Sequence, residues 1–440
     1  MTDKVKNPQL TPVPKGRLLL LIGGGLGLLT GLNAALLRLG LPAPVESVSL
    51  SSLHGILMLY GFLGTAITLE RAVALRSDKK TITWWGYLAP AASGLGVITA
   101  LIGVGLPGSP FSRTIPAAMW MSAMALLTAI YLVIWKRQQT FFLLIQVLGA
   151  VAGLVGITLW GRGFDIPQVV PWWTAFLVLT ILGERLELAR IAFISNTLQV
   201  RVFIESLVYF TALTVAMFAP TWGYPLMGLA LAVLVVDVGS HDVALRTIRT
   251  RGLTKFMAAA MLGGYAWALL AAGIWVVQGP VYWGYGYDTS VHALTIGFAL
   301  SMVMAHAPII LPAVARREVP YSPVLWAVWG LLQAGLLVRV IAGARVGLGQ
   351  DSAFAGWQFG GTVDVFTVLA FVVTTVTLIL LGGRKKTVYE GKRRQEPSSQ
   401  TLASRADGAQ GPTKAVVSPR QVEAGESPAE DEAVVAKDAT

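Results

Sequence analysis

Long apolar stretches separated by short polar loops recur along most of the chain. Twelve of them are about 20 residues long, the length that a helix needs to cross a hydrocarbon core of about 30 Å. A lone strand cannot satisfy its backbone hydrogen bonds in lipid, so the pattern predicts helices. The predicted spans cover residues 17–38, 53–75, 82–105, 116–135, 141–160, 170–189, 202–219, 224–242, 255–278, 289–311, 322–343 and 361–382.

The composition agrees with this pattern and predicts an all-α integral membrane protein. The chain is 55% hydrophobic and only 13% charged, and its mean hydropathy is +0.65. It has no cysteine, which excludes disulfides, iron–sulfur clusters and thiolate metal sites. The first apolar run is long enough to span a membrane, so we do not interpret it as a cleavable signal peptide.

The net charge of +11 is explained by the loops between the spans. The loops after the second, fourth, eighth and tenth spans carry two to four Lys or Arg residues each. The intervening loops carry at most one. We therefore interpret the basic residues as a topology signal rather than a nucleic-acid surface. They predict a multi-pass membrane protein with both termini in the cytoplasm.

The pattern divides the chain into three parts. Residues 1–16 form a cytoplasmic N-terminal segment, and residues 17–383 form the twelve-helix membrane domain. Residues 384–440 are rich in Ser, Pro, Glu, Ala and Lys and predict a disordered cytoplasmic tail. The second span ends GFLGTAITLERAVALR and the sixth ends LVLTILGERLELAR, while the tenth ends HAPIILPAVARR. A recurrence every four helices suggests three pseudo-symmetric four-helix arcs, although positive-inside selection could also produce it.

Only four histidines occur in the chain. His54 opens the second span and His292 opens the tenth, so the predicted topology places both near the outer face. A haem between two helices needs an axial imidazole from each at matched depth, which makes this pair candidate ligands of a b-type haem. His306 lies toward the cytoplasmic end of the tenth span and is the candidate ligand of a second haem or a copper ion. His241 lies at the cytoplasmic rim.

Charged residues within the spans form a second set of candidates. We expect Glu70, Arg71, Glu184 and Arg185, near the cytoplasmic ends, to form structural ion pairs between helices. Arg339 in the eleventh span is a candidate counter-ion for a haem propionate. Isolated carboxylates within a membrane are costly and are candidate proton carriers or ion ligands; they are Glu205, Asp237 and Asp364.

Two further patterns have ordinary explanations. The aromatic loop GPVYWGYGYD, residues 279–288, is typical of an interfacial belt and could also cover a cofactor beside His292. The glycines of LIGGGLGLLTGL, residues 21–32, predict close helix packing rather than a nucleotide site, because no strand precedes them.

The segments LHGILMLYGFLGTAITLERAVAL and VHALTIGFALSMVMAHAPIILPAV resemble the NnrS family of twelve-helix membrane proteins. That resemblance implies an association with haem and copper and with the bacterial response to nitric oxide. It covers the membrane domain and leaves out the tail.

The chain is more distantly similar to subunit I of the haem–copper oxidases. That subunit also has twelve helices in three arcs, with low-spin haem ligands from the second and tenth helices. The similarity implies that His54 and His292 hold such a haem. No histidine occurs between residues 55 and 240, where an oxidase needs its copper ligands, so reduction of oxygen or nitric oxide is not expected.

Two function hypotheses follow. The first is a membrane protein that binds haem, with copper or a second haem at His306. It would have a redox or nitric-oxide-linked stress role and a membrane or periplasmic electron donor. A six-coordinate bis-histidine iron favours electron transfer or sensing, so no catalytic residue is predicted and enzyme activity is left open. The alternative is a secondary transporter whose buried carboxylates couple protons or ions.

Overall fold

A computed structural model describes residues 15–76, 83–189, 196–315 and 319–393. Within these ranges the chain is helical and no strand is present. In the described part of the chain, twelve helices are long and apolar enough to cross a membrane, which confirms the predicted all-α fold and the span number. We name their apolar spans α1 Lys15–Arg38, α2 His54–Leu75, α3 Trp84–Gly105, α4 Thr114–Gln138, α5 Phe141–Gly161, α6 Ile166–Glu187, α7 Asn196–Phe218, α8 Pro220–His241, α9 Gly252–Gln278, α10 Gly284–Pro312, α11 Val324–Gly347 and α12 Asp351–Leu380.

The predicted ends of the spans are less accurate than their number. α12 begins ten residues earlier than predicted and its helix continues to Arg393, beyond the expected domain boundary at 383. Helix α10 likewise continues to Ala315, whereas α6 ends at Ala189 as predicted. Hydropathy marks where a helix is apolar, whereas polar turns at either end still form backbone hydrogen bonds. The rest of the predicted tail, and all but the last two residues of the segment 1–16, lie outside the described residues.

Helices α2, α6 and α10 form the centre of the bundle. Their most apolar windows are 67%, 78% and 67% buried, whereas no other span exceeds 56%. The three helices contact one another in all three pairings. They are spaced four apart along the chain, as an arrangement of three four-helix units requires. That three-arc arrangement stays an interpretation.

Glycines bring α1 against its neighbours, as the run at residues 21–32 predicts. A Cβ atom added to Gly27 would lie 2.8 Å from the backbone carbon of Gly61 in α2. One added to Gly23 would lie 2.9 Å from the Cα atom of Gly94 in α3. Neither position has room for a side chain unless the helices move apart. This close packing places the backbone of α1 directly beside the start of α2.

Two of the central helices contain the same local irregularity. In α2 residues Leu57–Gly64 form a π-helix, and in α10 residues Ala293–Leu300 form another of equal length. Both have Gly-Phe at their fifth and sixth positions and are followed by a hydroxyl residue, Thr65 or Ser301. π-Helical turns are rare and concentrate at functional sites because they redirect side chains. Each of these begins within three residues of a histidine.

Candidate functional site

One end of the bundle contains a cavity of about 970 Å³. We call it the histidine cavity, and we call the end at which it lies the His54 end; the opposite end is the Arg71 end. The cavity lies between α2, α6 and α10 and reaches α1, α11 and α12. Its volume is at the upper limit of ordinary small-molecule sites. Both His54 and His292 line it.

His54 is positioned by a break between two helices. A short helix, Val48–Ser52, is capped by the Ser47 side chain and ends at Leu53. His54 then begins α2, beside α1. Its Nδ1 atom lies 2.9 Å from the Gly31 carbonyl oxygen. Because that oxygen can only accept, Nδ1 carries the proton and Nε2 keeps its lone pair free.

His292 is held in the same way from within its own helix. Its Nδ1 atom lies 2.8 Å from the Asp288 carbonyl oxygen, one turn earlier. It also lies 3.2 Å from the Asp288 carboxylate. Both neighbours are acceptors, so Nδ1 again carries the proton. Each of the two histidines therefore has Nε2 as its available ligand atom.

The distance between the two imidazole rings is close to the distance between two histidines that bind one metal ion. Their ring centroids are 6.4 Å apart and their planes differ by 21°. Two imidazoles that bind one metal ion from opposite sides, through bonds of about 2.0 Å, have centroids about 6.3 Å apart. The fold thus brings the predicted pair together. The Nδ1 atom of each ring is already hydrogen-bonded to a backbone carbonyl oxygen.

The aromatic segment 279–288 contributes to the wall of the histidine cavity. Tyr282 and Trp283 come from the loop before α10, and Tyr285 and Tyr287 come from the first turn of α10 itself. The remaining wall is mostly aliphatic, with Trp160 and Trp173 from α5 and α6. The apolar wall would exclude water from a flat hydrophobic group.

Arg339 also lines the cavity, but it is already paired. Its Nε and Nη2 atoms donate to the two carboxylate oxygens of Asp288 at 2.9 and 2.6 Å. The Nε1–H of Trp357 in α12 donates to the same carboxylate at 2.9 Å. Arg38, at the end of α1, is a second cation on the cavity wall. The predicted role of Arg339 as a propionate counter-ion stays a prediction, since Asp288 already engages it.

Asp364 is the one predicted acid that reaches the cavity. Its side chain is buried and lies beside Gly335 of α11, where an added Cβ would be 2.5 Å from Oδ1. Neither carboxylate oxygen has a hydrogen-bond partner. A buried, ionised carboxylate without a partner is strongly unfavourable. We infer that Asp364 is protonated in this arrangement.

We expect Asp364→Asn to be at least as stable as the wild type, because the amide has the same shape and no charge. Thermal unfolding of the two proteins in the same detergent tests this. Asp242→Asn is the matched control, since Asp242 is equally buried but paired with Arg185. A melting temperature of Asp364→Asn as low as that of the control would show that Asp364 is ionised.

The Arg71 end of the same helices is closed by ion pairs. Arg71 of α2 donates to Glu184 and, at 3.5 Å, to Glu187, both of α6. This confirms the predicted pairing between helices. Arg71 also donates to its neighbour Glu70 at 2.8 Å, which adjacent positions on a helix do not favour. Gln146 of α5 donates to Glu187 at 3.0 Å and extends the network.

A second arginine organises the other half of this end. Arg185 of α6 forms a 3.0 Å ion pair with Asp242, just after α8. The Tyr265 hydroxyl also donates to Asp242, at 2.6 Å. Arg185 Nη1 donates to Nε2 of His306 at 2.7 Å. The other ring nitrogen of His306, Nδ1, lies 2.6 Å from the Met302 carbonyl oxygen.

Both nitrogens of His306 are therefore engaged, and a guanidinium occupies the position that a metal ion would need. Among the described residues no group of three or more His, Asp or Glu side chains is arranged to hold a metal ion. Ligation of copper or a second haem by His306 stays a prediction, and this geometry argues against it.

We expect stability to fall at acid pH through Asp242. Burial alone would raise the pKa of Asp242. The charge and hydrogen bonds of Arg185, with donors from Tyr265 and the Ala244 N–H, outweigh burial and lower it. Because the folded-state pKa is lowered, the ionised Asp242 stabilises the fold at pH values above the unfolded pKa of about 3.9. This stabilisation is lost as the pH falls from there through the folded-state pKa. Unfolding measured between pH 6 and 3 should show this loss, and Asp242→Asn should reduce it.

The other candidate acids are partly buried, one on α7 and one on α8. Asp237 of α8 accepts from Arg201 of α7 at 2.7 and 2.5 Å. Glu205 lies 3.9 Å from the same arginine. His241 is exposed and contacts Asp237. The expectation that Glu205 and Asp237 are isolated is therefore wrong, because α7 supplies a counter-ion that hydropathy alone does not reveal.

Residues 17–380 match the family model of a domain of unknown function, DUF8744. The chain belongs to the DUF8744 family. No curated protein matches it. The family description carries no activity, so the chemistry of this DUF8744 protein is argued from the site itself, and the NnrS resemblance stays a prediction.

Four features of this DUF8744 site were missed in the sequence: Asp288, Trp357, the contact of Arg185 with His306 and the paired π-helices. Asp288 lies one turn before His292, a spacing that places it on the same helix face and was a usable signal. Trp357 and Arg185 come from distant segments, and no local pattern links them to a histidine. The paired π-helices have a readable trace, the shared Gly-Phe before a hydroxyl residue, but only the structure shows its meaning.

Proposed function

We propose that this protein binds one b-type haem in the histidine cavity, where His54 and His292 would hold the haem iron. The 6.4 Å separation of the two ring centroids carries this proposal. The apolar cavity, the free Nε2 atoms and the nearby Arg38 and Arg339 side chains support it. When bound, the haem would supply a one-electron couple. The protein would hold it, fix the two rings and exclude water.

The two ligands determine what kind of role is expected. If His54 and His292 both ligate the iron, no position would be left open for a substrate, so electron transfer or sensing would be favoured over turnover. The site lies at the end of the helices that the charge pattern predicts to be outer. An electron donor in the membrane or periplasm would approach from the His54 end. We further propose residence in a bacterial inner membrane with both termini cytoplasmic, and a redox or nitric-oxide-linked stress role as the NnrS resemblance implies.

The direct test is spectroscopic. The protein is expressed with an ample haem supply, purified in detergent, and its oxidised and reduced visible spectra are recorded. We expect one haem b per chain by the pyridine haemochrome assay and a low-spin spectrum in both states. A purified, folded protein with no Soret band would overturn the proposal.

A second candidate function rests on Asp364. A cavity at one end, a protonated acid in its wall and an opposite end closed by ion pairs together match one state of an alternating-access transporter. If the spectrum shows no haem, proton-coupled uptake in proteoliposomes is the next measurement. Asp364→Asn would then abolish coupling, whereas a haem protein would retain its spectrum in that variant.

A further inference from the structure

The two candidate ligands are held by very different surroundings. His54 has one neutral partner, the Gly31 carbonyl oxygen at 2.9 Å. His292 has the Asp288 carbonyl oxygen at 2.8 Å and also its carboxylate at 3.2 Å. Only one of the two imidazoles therefore has a formal negative charge beside its protonated nitrogen.

Asp288 itself is fixed from two other helices. Arg339 of α11 donates two hydrogen bonds to its carboxylate, and Trp357 of α12 donates a third. The Arg339 guanidinium lies over the Trp357 ring, 5.0 Å from its centroid. The carboxylate thus joins α10, α11 and α12 at one point and cannot turn away from His292 without breaking these contacts.

A carboxylate beside the outer nitrogen of a ligating histidine has known consequences. It fixes the tautomer and ring orientation, and it makes the ligand more basic. The loss of such a partner commonly weakens metal affinity about 10- to 100-fold. A more electron-donating ligand also stabilises the oxidised metal ion relative to the reduced one.

We propose that Asp288 is a positioning residue that fixes the His292 ring and lends it negative charge. On this proposal, which rests on the proposed haem site, His292 is the firmer and more electron-donating ligand and His54 the weaker one. Arg339 and Trp357 set how much charge Asp288 passes to the ring, because each of their hydrogen bonds draws electron density away from it.

The principal test is Asp288→Asn in the full-length haem-loaded protein. The backbone carbonyl still holds Nδ1 of His292, so we expect the low-spin spectrum to remain. We expect the equilibrium constant for reduction to rise about tenfold, which is about 59 mV for one electron. Transfer of haem to apomyoglobin should become about 10- to 100-fold faster.

Asp165→Asn is the matched control. Asp165 also lines the histidine cavity but is exposed and has no contact with either histidine, so the substitution removes the same charge. Equal shifts of the potential in the two variants would reduce Asp288 to a general electrostatic effect and overturn the proposal.

Trp357→Phe tests the same idea without a change of charge. It removes one donor from the carboxylate, so more negative charge falls on His292 and the potential should drop, opposite to Asp288→Asn. An unchanged potential in a variant with normal haem content would contradict the proposed role. This variant also decides the question if Asp288→Asn does not fold.

A measurement without haem separates this inference from the haem proposal. With only four histidines, ¹⁵N-histidine NMR of the haem-free protein should resolve His292. In Asp288→Asn we expect its Nδ1 signal to move while that of His54 stays. No movement would overturn the Asp288 contact itself. A protein that shows the movement but never binds haem would retain Asp288 as a positioning residue and refute its role in tuning a ligand.

Discussion

We expect His54→Ala and His292→Ala each to abolish the low-spin spectrum of the proposed haem and to lower haem occupancy at least tenfold. Either substitution removes one of the two imidazoles whose centroids lie 6.4 Å apart in the histidine cavity. No other histidine can substitute, because His306 lies at the Arg71 end and is held by Arg185. Visible spectra and haem content of the purified variants measure the effect.

His241→Ala is the control for this pair. Its ring is exposed at the Arg71 end and contacts Asp237, so its loss should leave the spectrum unchanged. Normal low-spin spectra in both cavity variants would refute bis-histidine ligation. Loss of the spectrum in all three variants would point to misfolding, which size-exclusion chromatography of each protein detects.

We expect Arg185→Met to destabilise the fold strongly. Arg185 and Asp242 are both buried and form a 3.0 Å ion pair. Removal of the guanidinium leaves the Asp242 carboxylate with neutral donors only, and it also frees Nε2 of His306. Breaking a buried pair from one side typically costs about 3–5 kcal/mol. Denaturant unfolding in mixed micelles measures the loss.

The double variant Arg185→Met with Asp242→Asn should lose less than the sum of the two single variants, because neither charge is then left alone. Arg201→Met provides the comparison outside the core, since Arg201 is half exposed and pairs with Asp237 at similar distances. We expect a much smaller loss there. Equal losses of stability in Arg185→Met and Arg201→Met would show that burial of the Arg185–Asp242 pair does not increase its contribution to stability.

Particular residues show how far the sequence alone could go. The depth of His54 and His292 followed from their places at the starts of two helices of like direction. Their contact across the bundle did not, because hydropathy fixes position along the membrane normal but not position around the bundle. The same limit explains why Arg201 was not foreseen as a partner of Asp237.

Misjudged boundaries have a related cause. Helix α12 begins at Asp351 and continues to Arg393. The turns at its two ends are too polar for a hydropathy pattern to include them in an apolar span. The π-helices were missed because their formation depends on the packing of whole helices, such as Gly27 against Gly61 and Gly297 against Trp267. Local propensity is too weak to select such a conformation by itself.

By itself the sequence determined the fold class, the number of helices, the direction of each helix relative to the next and the two candidate ligands. These follow from the cost of placing polar backbone and charge in lipid, which acts on each segment separately. The tertiary structure alone decided that the His54 and His292 rings lie 6.4 Å apart, that Asp288 contacts only one of them, and that Arg185 donates to Nε2 of His306. Those outcomes depend on which helices pack together, and packing is a property of pairs of surfaces that no single segment contains.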